Sequence, residues 1–339
     1  MDQFKAAVIG LGNIGLMYDL ESQRPHPSSH VMAYEISDIY QLVCGIDGDD
    51  GKAAVLNRIA PEAKFIQSLD EALDSGELEG MDVISICTPT ATHMNILEKL
   101  IVRGVGQVIF CEKPLVSDIV EAEGLKWLIL KHGNVIVVPN ISRRWNTGLR
   151  EIGAVIADGS LGSLEKINIR YTRGIYNTGT HLFDLLKMWS GSLIKKVTVL
   201  GETATSSYPE PSYNFFFELE GGVTGYAEAV DDKRYYLFEV DLYLSKGKIE
   251  MRNSGDDIRY YGIGRHHLFN GFQELVFNKE RRNLLSDACL KNALENIAQV
   301  LKKSGRPFCT AEDAFYPLYV AEALKRSYMY KRSEEVTYE

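Results

Sequence analysis

Ala6-Ala7-Val8-Ile9-Gly10-Leu11-Gly12-Asn13-Ile14-Gly15 sets a short apolar run directly against a glycine-rich turn of the form G-x-G-x-x-G. A strand entering such a turn is the context that gives the motif meaning. The first two glycines permit a tight turn and close backbone approach to a pyrophosphate, and the N–H groups beyond it favour phosphate charge. A second apolar stretch, Tyr40 to Ile46, ends at Asp47. A carboxylate there accepts hydrogen bonds from adenosine ribose hydroxyls. Asp49 and Asp50 follow, with Lys52 further on, so a 2′-phosphate would meet negative charge and NAD is favoured over NADP.

Gly15 and Asp47 lie 32 positions apart, against roughly 20 in the compact form of this unit. The excess is assigned to an inserted loop, Tyr18 to Ser29, whose Pro25 and Pro27 do not suit a helix interior. Ser28 or Ser29 then caps a resumed helix, with His26 and His30 read as solvated or capping residues.

Asn57 to Leu78 reads as helix, connection and helix. The apolar run Met81 to Cys87 enters Thr88-Pro89-Thr90-Ala91-Thr92-His93, and a helix follows to Gly104. Val108 to Cys111 is the next strand, running into Glu112-Lys113-Pro114; a helix to about His132 and a strand at Val135 to Val138 follow. This alternation predicts a doubly wound parallel sheet, with ligands beyond the carboxyl ends of its strands. After Asn140 the pattern changes. Helices end near Asp158 and span 179–189, strands are predicted at 164–171, 194–200, 213–219, 223–230, 236–244, 247–251 and 257–261, and three further helices close the chain. Short turns at Glu220-Gly221-Gly222 and Ser245-Lys246-Gly247 predict mostly antiparallel hairpins. The expected organisation is thus an α/β dinucleotide-binding domain, 1–140, and an α+β substrate and oligomerisation domain with one large open sheet, 141–339.

Composition narrows the function classes. The 339 residues carry 37 basic and 46 acidic side chains, net −9, with no basic run, which argues against nucleic acid as a partner. The five cysteines have no metal-ligand spacing, so no metal site is predicted, and they suit a reducing cytoplasm. No apolar run approaches membrane-spanning length and no signal peptide is read at the N-terminus.

Ala7-Val8-Ile9-Gly10-Leu11-Gly12-Asn13-Ile14-Gly15, Cys87-Thr88-Pro89-Thr90-Ala91-Thr92-His93, Cys111-Glu112-Lys113-Pro114-Leu115 and Gly179-Thr180-His181-Leu182-Phe183-Asp184-Leu185-Leu186, in this order, resemble the glucose–fructose oxidoreductase, inositol dehydrogenase and MocA family. The resemblance implies a dehydrogenase acting on a hydroxyl or keto group of a sugar, cyclitol or nucleotide sugar. It implies cofactor contacts from Gly10, Gly12, Asn13, Ile14, Asp47, Thr88, Pro89, His93, Glu112 and Lys113, and a homodimer or homotetramer paired through the second sheet. Removing a hydroxyl proton while hydride leaves needs an acid/base group; a lysine beside a nicotinamide cation feels a like charge, and imidazole carries a proton either way. Lys113 and His181 take these roles. Asp184 binds substrate hydroxyls or orients a neighbour. The family pattern often places an aspartate four residues before the histidine; here that position is Asn177, which can hydrogen-bond but not hold a proton. Arg173, Tyr176, Arg144 and Trp145 are further substrate candidates, an indole suiting a sugar face and a guanidinium suiting a carboxylate or phosphate. Two other classes use the same fold: a regulatory galactose repressor without turnover, and a sugar hydrolase or lyase that uses NAD transiently.

Overall fold

The computed structural model describes residues 3–204 and 210–338. The chain forms two compact units, residues 1–145 with 288–315 and residues 146–287 with 316–339.

The first unit runs β1 (Phe4–Ile9), α1 (His30–Glu35), β2 (Tyr40–Ile46), α2 (Gly51–Ile59), β3 (Lys64–Ile66), α3 (Leu69–Asp74), β4 (Val83–Ile86), α4 (His93–Arg103), β5 (Val108–Glu112), α5 (Ile119–His132) and β6 (Ile136–Asn140). All strand pairs are parallel, in the order β3-β2-β1-β4-β5-β6. β4, residues 6–9 of β1 and residues 108–111 of β5 are entirely buried. A parallel sheet is covered on both faces, which is why its strands read as unbroken apolar runs. The connection predicted between two helices at 57–78 contains β3; three residues with only Ile66 buried are too short to show a strand period.

The second unit opens with α6 (Thr147–Asp158), β7 (Leu164–Tyr171) and α7 (Gly179–Ser190). It continues through β8 (Ile194–Glu202), β9 (Tyr213–Leu219), β10 (Thr224–Ala229), β11 (Phe238–Leu244), β12 (Gly247–Arg252), β13 (Asp257–Arg265) and β14 (Gln273–Arg281). Then come α8 (Cys289–Leu301), which belongs to the first unit, α9 (Ala311–Tyr330) and β15 (Glu334–Glu335). The nine-stranded sheet has the order β14-β13-β12-β11-β7-β10-β9-β8-β15; β7 and β10 pair parallel and the other neighbours antiparallel. Phe183 of α7 packs on Phe215 of β9 with ring centroids 6.3 Å apart, so α7 covers one face, and the Trp189 indole N–H donates to the Leu149 carbonyl at 2.8 Å, which packs α6 against α7.

Two expectations are corrected. The first of the three closing helices is instead strand β14, an edge strand paired with β13 whose side chains are mostly exposed, so it lacks the alternation that marks a half-buried strand. The cut at residue 140 is also displaced. The first unit extends to Trp145 and recovers 288–315, because α8 packs onto it: Tyr40 donates through its hydroxyl to the Leu294 carbonyl at 2.7 Å, and Asn292 donates to the Trp145 carbonyl at 2.9 Å. Such long-range packing has no local signature.

Candidate functional site

In the first unit the strand order reverses between β1 and β4, the place where doubly wound sheets open a crevice beyond their carboxyl ends. A cavity of about 440 Å³ lies there, lined by Gly10, Gly12, Asp47, Thr88 and Pro89 together with Gln67, Ser68, Leu69, Thr92 and Ile96. Five of the ten cofactor residues expected from sequence therefore meet around one space. Asn13 is exposed and Ile14 half-buried, and neither lines it. Gln67, Ser68 and Leu69 were not singled out, because they follow the unrecognised strand β3.

The glycines explain the shape. A Cβ on Gly15 would lie 1.9 Å from the Gly10 carbonyl oxygen, so only glycine lets the turn close on itself. A Cβ on Gly12 would meet nothing within 4 Å, which leaves bare backbone beside open space, as a pyrophosphate requires. Asp47 accepts the Leu11 N–H at 2.7 Å through Oδ2 and the Asp49 N–H at 2.9 Å through Oδ1. These residues fit a dinucleotide: Gly10 and Gly12 would face its pyrophosphate, Asp47 its ribose hydroxyls, and Leu69 and Ile96 offer apolar walls.

The insertion is a side excursion from a helix. His30 N–H donates to the Ile14 carbonyl and Val31 N–H to that of Gly15, both at 3.0 Å, so α1 continues the turn at 13–16 across the loop. Buried Asp19 closes the loop, accepting from the Ser28 and Ser29 N–H groups, the Ser29 hydroxyl and the His26 ring. Ser29 caps α1, as expected. His30 departs from its reading as solvated or capping: it is 1% exposed, with Nδ1 3.0 Å from Ser85 Oγ and Nε2 2.9 Å from Glu112 Oε1.

Around Lys113, which is half-buried at the end of β5, the chain is held on both sides. Glu112 also accepts from Asn140 Nδ2 at 2.6 Å, and the Trp145 indole N–H donates to Asn140 Oδ1 at 2.9 Å. His93, expected to touch cofactor, is instead a buried strut between carbonyl oxygens, Thr88 at 2.8 Å and Pro114 at 2.9 Å. Trp145 has no exposed surface and lies against Phe308 and Phe110, so its indole offers no face to a sugar. Arg144 is buried too, donating to the Phe308 carbonyl at 2.6 Å and paired with Asp313 at 2.9 Å. Both substrate expectations give way to packing roles, because groups already desolvated and hydrogen-bonded inside the unit do not face a ligand.

In the second unit a π-helical turn, Gly174–Thr178, leads into α7. The Glu210 carboxylate accepts the Tyr176 N–H at 3.1 Å and the Asn177 N–H at 2.8 Å, which fixes this turn. Tyr176 donates to Glu322 Oε1 at 3.0 Å; burial, with the Glu322 charge beside it, raises its phenol pKa and keeps it a neutral donor. Arg173 stacks over Tyr236 at 5.1 Å. His181 is 9% exposed on α7 and Asp184 is fully buried one turn on, a position that suits orienting a neighbour rather than binding substrate. Among the described residues, His266, His267 and Glu274 could by distance hold a cation. The Leu268 and Phe269 N–H groups point at His266 Nδ1, so that atom accepts and the ring proton sits on Nε2, the nitrogen facing Glu274. That is a hydrogen-bonded cluster, not a prepared ligand set.

The family model described as an oxidoreductase family with an NAD-binding Rossmann fold (Gfo/Idh/MocA) matches residues 4–140. Inositol 2-dehydrogenase 1 of Paenarthrobacter aurescens is 24% identical over 290 residues, covering 80% of each chain. An oxidoreductase from Agrobacterium radiobacter, solved with NAD+, L-tartaric acid and magnesium, superposes with a TM-score of 0.77 at 13% identity over 99% of both chains. A super-repressor mutant of Gal80p from Saccharomyces cerevisiae gives 0.80 at 14%, over 99% of this chain and 98% of that one. With the parallel sheet, the glycine turn and the Asp47 cavity in place, residues 4–140 carry the NAD-binding Rossmann fold of the Gfo/Idh/MocA oxidoreductases.

Proposed function

We propose that the protein is an NAD(H)-dependent dehydrogenase acting on a hydroxyl or keto carbon of a sugar, cyclitol or nucleotide sugar. The observation that carries this reading is the position of Lys113. It follows β5 in the same row of strand ends as the glycine turn after β1 and Thr88-Pro89 after β4. The naming of relatives as inositol 2-dehydrogenases supports the polyol class.

Bound NAD supplies the hydride acceptor or donor. The chain's own residues do the rest. Lys113 Nζ takes the substrate hydroxyl proton in oxidation and returns it in reduction, and the His181 imidazole is the second proton-transfer group. Asn177 hydrogen-bonds a substrate hydroxyl but holds no proton, so proton transfer depends on Lys113 and His181. Tyr176, kept neutral, selects substrate. The free cysteines, four buried and Cys289 half-buried, favour a reducing cytoplasm. Assembly is as a homodimer or homotetramer through the outward face of the nine-stranded sheet.

Asn177 also favours a second reading, a dinucleotide sensor without turnover. Reduced-nicotinamide absorbance with a panel of polyols, sugar acids and nucleotide sugars separates the two. Lys113→Met is expected to lower turnover on the order of a thousandfold while NADH still binds. Unchanged turnover would rule out Lys113 as the proton carrier, and NADH binding with no redox change on any substrate would favour the sensor.

A further inference from the structure

A chain of hydrogen bonds runs under the Glu112-Lys113 stretch, entirely within the first unit. Tyr34 OH lies 2.8 Å from Ser85 Oγ, Ser85 Oγ 3.0 Å from His30 Nδ1, and His30 Nε2 2.9 Å from Glu112 Oε1. From the other side Trp145 Nε1 donates to Asn140 Oδ1, and Asn140 Nδ2 donates to the same Glu112 oxygen.

The donors can be assigned from the end that has no choice. A carboxylate only accepts, so His30 Nε2 carries a proton; in that tautomer Nδ1 accepts from the Ser85 hydroxyl, which in turn accepts from Tyr34. Every donor points toward Glu112. Burial raises the Tyr34 phenol pKa, which keeps the first donor protonated. Tyr34, Ser85, His30, Asn140 and Trp145 are each at most 2% exposed, whereas the Glu112 side chain keeps 14% of its surface. Of these six residues only Glu112 can meet a ligand. Both named donors converge on its Oε1.

We propose that His30 is a positioning residue for the cofactor site, acting through Glu112. It locks one carboxylate oxygen and so aims the other, Oε2, at a hydroxyl of the bound dinucleotide, beside Lys113. This rests on the reading above that Glu112 faces the cofactor. The insertion gives the arrangement its origin: the loop at 18–29 returns the chain to Ile14 and Gly15, which sets His30 at the first position of α1, against Ser85 of β4 and Glu112 of β5.

The test is equilibrium NADH binding by nicotinamide fluorescence, which does not depend on turnover. His30→Phe keeps a ring of similar size, 5.0 Å from Phe110 in the native pair, and removes both hydrogen bonds. It is expected to weaken NADH about tenfold, in line with loss of a charge-assisted hydrogen bond. His30→Gln, whose amide can still donate to Glu112, should recover most of that loss. His30→Phe placed on Glu112→Ala should add nothing, because His30 acts only through Glu112. Ser85→Ala asks the same question if His30→Phe fails to fold, with a loss of about threefold expected as Nδ1 loses its donor. NADH affinity within twofold of wild type in folded His30→Phe or Ser85→Ala would overturn the proposal, as would losses that multiply in the double variant. A wild type that binds NADH without turning over any substrate would sink the dehydrogenase reading and leave this result intact.

Discussion

At the residue scale, Asp47 does two things with one carboxylate. Each oxygen holds one backbone N–H of the turns it braces, Leu11 and Asp49. A carboxylate has about four acceptor positions, so one per oxygen is left for a ribose hydroxyl. Lys52, the nearest basic residue along the chain to the ribose position, sits 3.9 Å from Asp49. Asp47→Asn turns an NH₂ toward one of those backbone donors and removes the charge. NADH affinity is expected to fall about tenfold, and the preference over NADPH to narrow. Fluorescence titration with both cofactors checks this; no change in either quantity would remove Asp47 from the ribose site. Asp47 was legible from sequence because its role is local to a strand end. His30 was not, because its carboxylate partner is 82 residues away.

At the element scale, β12 of the second sheet carries its own pH response. Glu250 of β12 has a side chain 9% exposed, hydrogen-bonded by Lys248 at 2.7 Å, Arg252 at 3.0 Å and the Tyr261 hydroxyl at 2.9 Å. Burial pushes its pKa up, but the three donors outweigh burial and hold it at about 2, below the ordinary 4.5. A folded pKa below the unfolded one stabilises the fold above the unfolded value. That stabilisation is lost as pH falls from about 4.5 toward 2. Denaturation of wild type and Glu250→Gln should therefore differ by on the order of 2–3 kcal/mol above pH ~5 and converge toward pH ~2. Curves that stay parallel throughout would contradict the assignment. The hairpins at 220–222 and 245–247 were readable because glycine turns between alternating strands are local chemistry. β3 and β14 were not, one too short and the other too exposed to show a period.

At the scale of the whole molecule, the outward face of the nine-stranded sheet is the surface to test for assembly. Alternate residues of β11 are buried, leaving Glu239, Asp241 and Tyr243 facing outward. Phe216 is 51% exposed and packs on Tyr226 with centroids 5.0 Å apart. Light scattering is expected to give twice or four times the 38.1 kDa chain mass, and Phe216→Glu to move it toward 38.1 kDa. A monomeric wild type would refute the assembly, and an unmoved variant would place the contact elsewhere.

The sequence by itself determined the parallel sheet, the glycine turn, the acid after β2 and the lysine after β5. The sheet is written in the alternation of short runs along the first unit, and each of the others in one such run, whose period, turn chemistry or strand end is decided by near neighbours along the chain. Only the tertiary structure decided that 288–315 returns to the first unit, that Arg144, Trp145 and His93 are interior struts, and that His30 lies beneath Glu112. In each of these the partner comes from a distant segment. Burial then sets whether a polar side chain is turned toward a ligand or spent on the protein's own hydrogen bonds.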